Sequence, residues 1–180
     1  MNRCKWVNLK NELYVKYHDE EWGKVNNDDN YLFELLLLES FQAGLSWECI
    51  LNKRENFRKA FDNFEYKKIA KYDDKKIEEL MQNKNIVRNR LKIKSAIKNA
   101  KIFMDIQKEY GSFSKYIWHF SDNKVIKNED DKFKTTSYLS DTISKDLKKR
   151  GMNFVGSTII YSYLQAIGVI NDHELNCDFR

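Results

Sequence analysis

Proline is absent from this chain, and glycine and cysteine are scarce, with six and three residues. The missing proline accompanies Lys and Asn spread along the whole sequence, so it reads as a compositional habit and excludes no function. The cysteines stand at 4, 49 and 177, an odd number that argues against a disulfide framework and leaves metal binding or plain burial. No apolar h-region follows Met1-Asn2-Arg3-Cys4-Lys5-Trp6, so no secretory signal is expected, and the longest apolar run, Leu35 to Leu38, is too short to span a bilayer. The expectation is a cytoplasmic protein with no membrane contact. Internal repeats, low-complexity tracts and linkers are lacking too.

What is present suffices for one domain over residues 1–180, since 42% of the chain is hydrophobic and 14% aromatic. Lys and Arg exceed Asp and Glu by 32 to 27, a mild excess that suits an acidic partner such as DNA and equally suits many cytosolic enzymes. Asp28-Asp29-Asn30 offers N-cap chemistry for a helix over 28–43 that is apolar on nearly every side and therefore central. Gly44 ends it. Ser46 caps a second helix over 47–61, Asp73 starts a third reaching Met81, and the rhythm of Ile86, Ile93, Ile97, Ala100 and Met104 predicts a fourth that stops at Gly111. Between His119 and Tyr138 the periodicity vanishes, which predicts a surface connection with a short extended piece at Lys124 to Ile126 and no real sheet. Helices over Ser140 to Arg150 and Ser157 to Ile167 flank a tight turn, and Gly168 closes the second. The fold class is all-α.

Cys4 and His18 lie near one end of the chain, and His173 and Cys177 near the other, the latter pair spaced to share one face of a helical turn. Two thiolates and two imidazoles make a closed tetrahedral zinc site with no position for a reacting water, so such a zinc is structural and ties the N-terminal segment to a C-terminal helix. The spacing leaves open a chance coincidence of four residues. Cys49 reads as a buried small hydrophobe and His119 as packing or surface.

In Phe154-Val155-Gly156-Ser157-Thr158 a glycine lets backbone approach a phosphate, while the next helix presents free N–H groups and the positive end of its dipole. Lys145, Lys148, Lys149 and Arg150 precede it. An ordinary turn between helices with a solvated basic face fits the same residues. Trp6, Tyr14, Tyr17 and Trp22 crowd the N-terminal segment, and Glu39 interrupts the apolar central helix ahead of Trp47. Aromatic faces with a half-buried carboxylate describe a pocket for a nucleobase, best for a cationic one; a plain aromatic core with Glu39 reaching solvent is the alternative.

Taken together, Arg3-Cys4-x-Trp6, Tyr17-His18-Asp19-x-Glu21-Trp22-Gly23, Leu38-Glu39, Gln42-Ala43-Gly44-Leu45-Ser46-Trp47, Lys53-Arg54-Glu55-Asn56, Lys148-Lys149-Arg150-Gly151, Phe154-Val155-Gly156 and Asn171-Asp172-His173 closely resemble the DNA-3-methyladenine glycosylase I family, from residue 1 to about 177. The resemblance implies the helix-hairpin-helix glycosylase fold, with a central part over 28–111 and termini 1–27 and 139–180 clasped by one structural zinc on Cys4, His18, His173 and Cys177. It implies that Glu39 and Tyr17 hydrogen-bond the damaged base, that Trp47 stacks on it, and that Trp6, Tyr14 and Trp22 complete the pocket. Gly44 and Leu45 would fill the gap in the duplex, with Phe154 to Thr158 holding the backbone. Implied partners are double-stranded alkylated DNA and free 3-methyladenine as product, and a monomer suffices. Bifunctional relatives in the superfamily carry a lysine two residues after the hairpin glycine, where this chain has Thr158, so no strand cleavage is expected. The chain departs from the family at Asn85 and Leu91, where relatives often have glycine. Two rival classes remain: a non-catalytic zinc-stabilised DNA-binding protein, which needs no carboxylate facing aromatic rings, and a zinc hydrolase, which needs an open metal position.

Overall fold

Side-chain caps set where most helices begin. Asn11, Asp28, Ser46, Asp73, Asn89, Ser112 and Ser137 each accept a backbone N–H from the first turn that follows. In the computed structural model, which describes residues 1–130 and 132–180, the helices are α1 (Glu12–Glu20), α2 (Asp29–Gln42), α3 (Trp47–Ala60), α4 (Tyr66–Ile69), α5 (Asp74–Gln82), α6 (Arg90–Tyr110), α7 (Phe113–His119), α8 (Tyr138–Lys149) and α9 (Ser157–Ala166). Helix α2 is buried at every position from Leu32 to Phe41 and packs against α3, α6, α7 and α9. A helix apolar on all sides has no stable place at a surface, so the others collect around it.

The helices expected from Asp28, Ser46, Asp73 and Ser157 are present. The one expected from Ile86 starts at Arg90, because Asn89 caps it, and α8 starts at Tyr138, because Ser137 forms a capping box with Ser140. Asn85 and Leu91 are absent from the described non-glycine residues with positive φ, so neither position demands glycine. Three short helices, α1, α4 and α7, have too few turns for a periodic signal to stand out. The extended piece starts two residues later and ends one residue later than expected, as β1 (Ile126–Lys127), and it pairs in parallel with β2 (Ile170–Asn171). That pairing joins segments far apart in sequence, which local pattern does not record.

The N-terminal segment is held against α9 by backbone as well as side chains. The Gly23 N–H donates to Gln165 O and the Asn26 N–H to Ile167 O. Gly168 follows α9 at φ +78, and a Cβ there would stand 2.2 Å from the carbonyl carbon of Lys24. Both the left-handed backbone and the contact therefore demand glycine. Gly168→Ala is expected to lower stability by about 2–4 kcal/mol, combining overpacking with a disfavoured φ. Urea denaturation of the variant would check this, and an unchanged midpoint would contradict it.

Candidate functional site

A cavity of about 250 Å³ opens between α1 and the segment before it, α2, the first residue of α3, α9 and the segments after β1 and β2. Its volume falls near the lower end for ligand sites, about 300–1,000 Å³, so it suits a small planar molecule. Trp6, Tyr14, Tyr17, Trp22, Glu39 and Trp47 all line it, so the sequence-predicted pocket residues are brought together. The Tyr17 and Trp47 rings lie 5.2 Å apart at a tilt of 52°, and Trp6 stands edge-on to both Tyr14 and Trp22. Tyr17 and Trp22 are buried, Tyr14 and Trp47 half-buried, and Trp6 sits at the rim, 36% exposed.

Helix α2 carries two buried glutamates whose surroundings differ. Glu34 accepts from Arg54 Nε at 2.6 Å and pairs with Arg58 at 2.8 Å, while Arg54 also reaches Glu21 at 2.8 Å. Glu39 is 3% exposed, and its Oε2 has no hydrogen-bond partner. Burial alone pushes its pKa up to about 8. The Tyr17 hydroxyl is held well above its ordinary range by burial and then by the nearby Glu39 charge. Trp47 Nε1 is likewise buried with no partner. Unsatisfied donors and acceptors on one cavity wall mark places where a ligand's polar edge would be answered.

Sequence reasoning assigned no role to several lining residues. Gln42, Gln165 and Asp172 also face the cavity. Asp172 is anchored at Oδ2 by Tyr161 Oη and Gln165 Nε2, both at 2.6 Å, while its Oδ1 is buried and unpartnered. The Glu21–Arg54–Glu34 network was missed as well, although Glu21 and Arg54 lie in the motifs quoted above; three charges distant in sequence give no local sign that they meet.

Behind the pocket, the side chains of Cys4, His18, His173 and Cys177 converge, with ligand atoms all within 4.8 Å of one another. The sulfur-to-nitrogen distances are 3.5 Å for Cys4–His173, 3.6 Å for Cys177–His18 and 3.4 Å for Cys177–His173. A tetrahedron with metal–sulfur bonds of about 2.3 Å and metal–nitrogen bonds of about 2.0–2.1 Å has S···N edges of about 3.5 Å, so the four residues fit a metal ion. The outer partners agree. His18 Nδ1 lies 2.8 Å from Asp19, which Arg3 holds in turn, and His173 Nε2 lies 3.1 Å from Trp22 O, so each ring turns its other nitrogen inward. Burial lowers the pKa of both histidines, His173 to about 4, which keeps them neutral and able to ligate. The expected C-terminal helix is not formed: His173 to Cys177 make a turn closed by the Cys177 N–H to Glu174 O, which sets the same spacing without a helix. Cys49 is half-buried rather than buried, and His119 is exposed, stacked on Tyr110.

The loops expected to meet DNA lie at the ends of α2 and α8. Gly44, at φ +80, and Leu45, 42% exposed, follow α2. In the turn between α8 and α9 the strained residue is Phe154, at φ +54, whereas Gly156 has an ordinary φ of −61 and open space where a Cβ would stand. The Val155 side chain is in the core, so only its backbone faces outward contact; Ser157 Oγ bonds Asp141 and Ser140, and Thr158 is exposed. Arg150 is occupied by Glu109 and Asp146, leaving Lys145, Lys148 and Lys149 as the exposed cations there. No helix among the described residues is long and apolar enough to cross a membrane.

An almost wholly helical chain with an aromatic, carboxyl-bearing cavity beside a four-ligand cluster defines a small-molecule or nucleobase site. The comparisons with known proteins make that specific. A family model described as methyladenine glycosylase matches residues 6–180. The DNA-3-methyladenine glycosylase of Haemophilus influenzae is 42% identical over 178 residues, covering 97% of this chain and 96% of that protein, and DNA-3-methyladenine glycosylase 1 of Escherichia coli is 41% identical over 180 residues, covering 98% and 96%. A crystal structure of 3-methyladenine DNA glycosylase I superimposes with a TM-score of 0.94 at 42% identity, covering 98% of each chain. A variant of such an enzyme in complex with 3-methyladenine superimposes at 0.92 with 36% identity, covering 99% of this chain and 97% of that one. This chain belongs to the methyladenine glycosylase family and is an enzyme that hydrolyses N-glycosyl bonds.

The raised pKa of Glu39 gives a signed stability prediction. The folded state keeps its proton up to about pH 8, whereas the unfolded state releases it near the ordinary 4.5. The unfolded chain therefore binds fewer protons between those values, and stability falls as pH rises through that window. Glu39→Gln removes this loss. The Tm of the variant minus that of the parent should grow from pH 4.5 to 8 and then level off; a difference independent of pH would show that Glu39 ionises normally.

Proposed function

We propose that this protein removes 3-methyladenine from alkylated double-stranded DNA by hydrolysing its N-glycosidic bond, with the nucleotide flipped into the aromatic cavity. The observation that carries the reading is Glu39, a carboxyl without a partner on a cavity wall that it shares with the rings of Tyr14, Tyr17, Trp22 and Trp47. A lone buried carboxyl is costly unless a ligand answers it. In this reading Glu39 and Tyr17 hydrogen-bond the base and Trp47 stacks on it, while Trp6, Tyr14 and Trp22 complete the enclosure. The nucleoside of 3-methyladenine is already cationic, so the C1′–N9 electron pair leaves with a neutral base and needs no prior proton; water then adds at C1′ and gives up its proton. Flipping a damaged nucleotide costs a few kcal/mol, which stacking returns in part.

The duplex would be held by a helix-hairpin-helix formed from α8, the turn and α9, with the open face of Gly156 and the backbone N–H groups of Val155, Ser157 and Thr158 turned to phosphate. Gly44 and Leu45 would fill the gap left by the flipped nucleotide. Thr158 carries no amine, so no Schiff base forms and the enzyme is monofunctional. One chain builds the entire cavity, so a monomer suffices. For the four-ligand cluster we propose one structural zinc per chain, which supplies a cross-link between the chain's two ends; the filled tetrahedron leaves no position for a reacting water.

Incubation with alkylated duplex DNA, followed by chromatography of the free bases, tests the function. The parent should release 3-methyladenine in preference to 7-methylguanine. Glu39→Gln should be slower by at least about a hundredfold while still binding duplex. No base released by folded, zinc-loaded protein would overturn the reading. For the metal, chelation is expected to lower Tm by several degrees and expose the N-terminal segment to protease. Loss of turnover with Tm unchanged would instead point to a reacting metal.

A further inference from the structure

Lys92 is buried, 7% exposed, near the start of α6, yet no carboxylate holds it. Its ammonium donates to Phe41 O at 2.8 Å and Ala43 O at 2.6 Å, the last carbonyls of α2, and lies 5.9 Å from the centre of the Phe154 ring. A burial this unfavourable for a cation needs a reason. The carbonyl end of a helix is a negative pole, which repels phosphate, and here that pole stands directly before Gly44 and Leu45. Two further ties join the same places: Ser40 Oγ donates to Phe154 O at 3.1 Å, and the Asn99 side chain bonds both the N–H and the carbonyl of Asn153.

We propose that Lys92 is a positioning residue for the duplex, neutralising the carbonyl end of α2 and holding the Gly44–Leu45 loop in register with the Phe154 turn. The inference rests on the DNA-repair reading above and names a residue outside the base pocket. Lys92 does not line the cavity. Its removal is therefore expected to change how the two loops meet the duplex backbone more than how the cavity holds a base.

The test compares Lys92→Met, Lys92→Gln and Lys92→Arg with the parent, using a duplex with a stable abasic analogue and, separately, free 3-methyladenine followed by tryptophan fluorescence. The parent's base release is the control: its failure would sink the glycosylase reading itself. Given that control, Lys92→Met and Lys92→Gln should bind the duplex about tenfold more weakly. They should bind the free base as the parent does, and Lys92→Arg should recover most duplex affinity. Equal loss of duplex and free-base affinity would make Lys92 a simple strut and overturn the proposal, as would unchanged duplex binding in a folded variant. Should Lys92→Met fail to fold, the contrast between Gln and Arg decides by the same criteria.

Discussion

Burying α2 on every side is the constraint from which the rest of this structure follows. A helix placed at the centre of a small protein has no solvent face on which to put charge, and this one nevertheless carries Glu34 and Glu39. The protein answers the first internally: Arg54 and Arg58 reach Glu34, and Arg54 continues to Glu21, locking α2, α3 and the segment after α1 together. It leaves the second unanswered. A buried ion pair that breaks costs several kcal/mol, so the Glu34 network has a stabilising duty that Glu39, without a partner, cannot share. In the proposed reading, cost without internal return is what marks Glu39 for a ligand and Glu34 for the structure on the same helix.

The four-ligand cluster and the cavity are not separate features. His173 lines the cavity and belongs to the cluster; its ring meets that of Trp22 edge-on at 4.6 Å, and the His18 ring meets Trp6 at 5.3 Å. Whatever fixes the imidazoles thus fixes the indoles that form one wall. Gly23 makes the same point from the backbone, since a Cβ there would stand 3.0 Å from the His173 ring. The chain ends are joined by side-chain convergence and by hydrogen bonds of the backbone, those of Gly23 and Asn26 to the end of α9 and those between Asn2 and Asp178. Placing a cross-link behind the pocket wall limits the freedom of an N-terminal segment whose own helix has only nine residues.

Much of this was legible in the sequence because the relevant features are local. The buried α2 announces itself as an apolar run with a cap before it and a glycine after it, and the four ligands could be named because Cys and His are scarce. The aromatic residues singled out together do line one cavity, although periodicity alone did not distinguish them from core. What escaped was non-local. The parallel pairing of Ile126–Lys127 with Ile170–Asn171, the Glu21–Arg54–Glu34 network and the seat of Lys92 under α2 each join residues with no repeating interval between them. The turn at His173 to Cys177 was mistaken for a helix because i and i+4 ligands meet in either geometry. The Phe154 turn shows the converse limit: Gly156 marked the place, but the non-glycine residue with positive φ is Phe154, two residues before it.

The pocket's chemistry bears on selectivity in the proposed reading. With its pKa near 8, Glu39 is mostly protonated at neutral pH, and ionising it inside the cavity is unfavourable unless positive charge arrives with the ligand. A cationic methylated adenine brings that charge and an amine edge that can donate to the carboxylate, so binding and ionisation reinforce each other. A neutral purine brings shape, stacking and neutral hydrogen bonds but no charge. It would meet either a protonated acid, with which it makes only neutral hydrogen bonds, or a carboxylate that it cannot neutralise. Aromatic stacking is tolerant of every base, since each has a π-face. Discrimination must therefore come from the group that responds to charge, and a carboxyl kept without a partner is the form in which that response is largest.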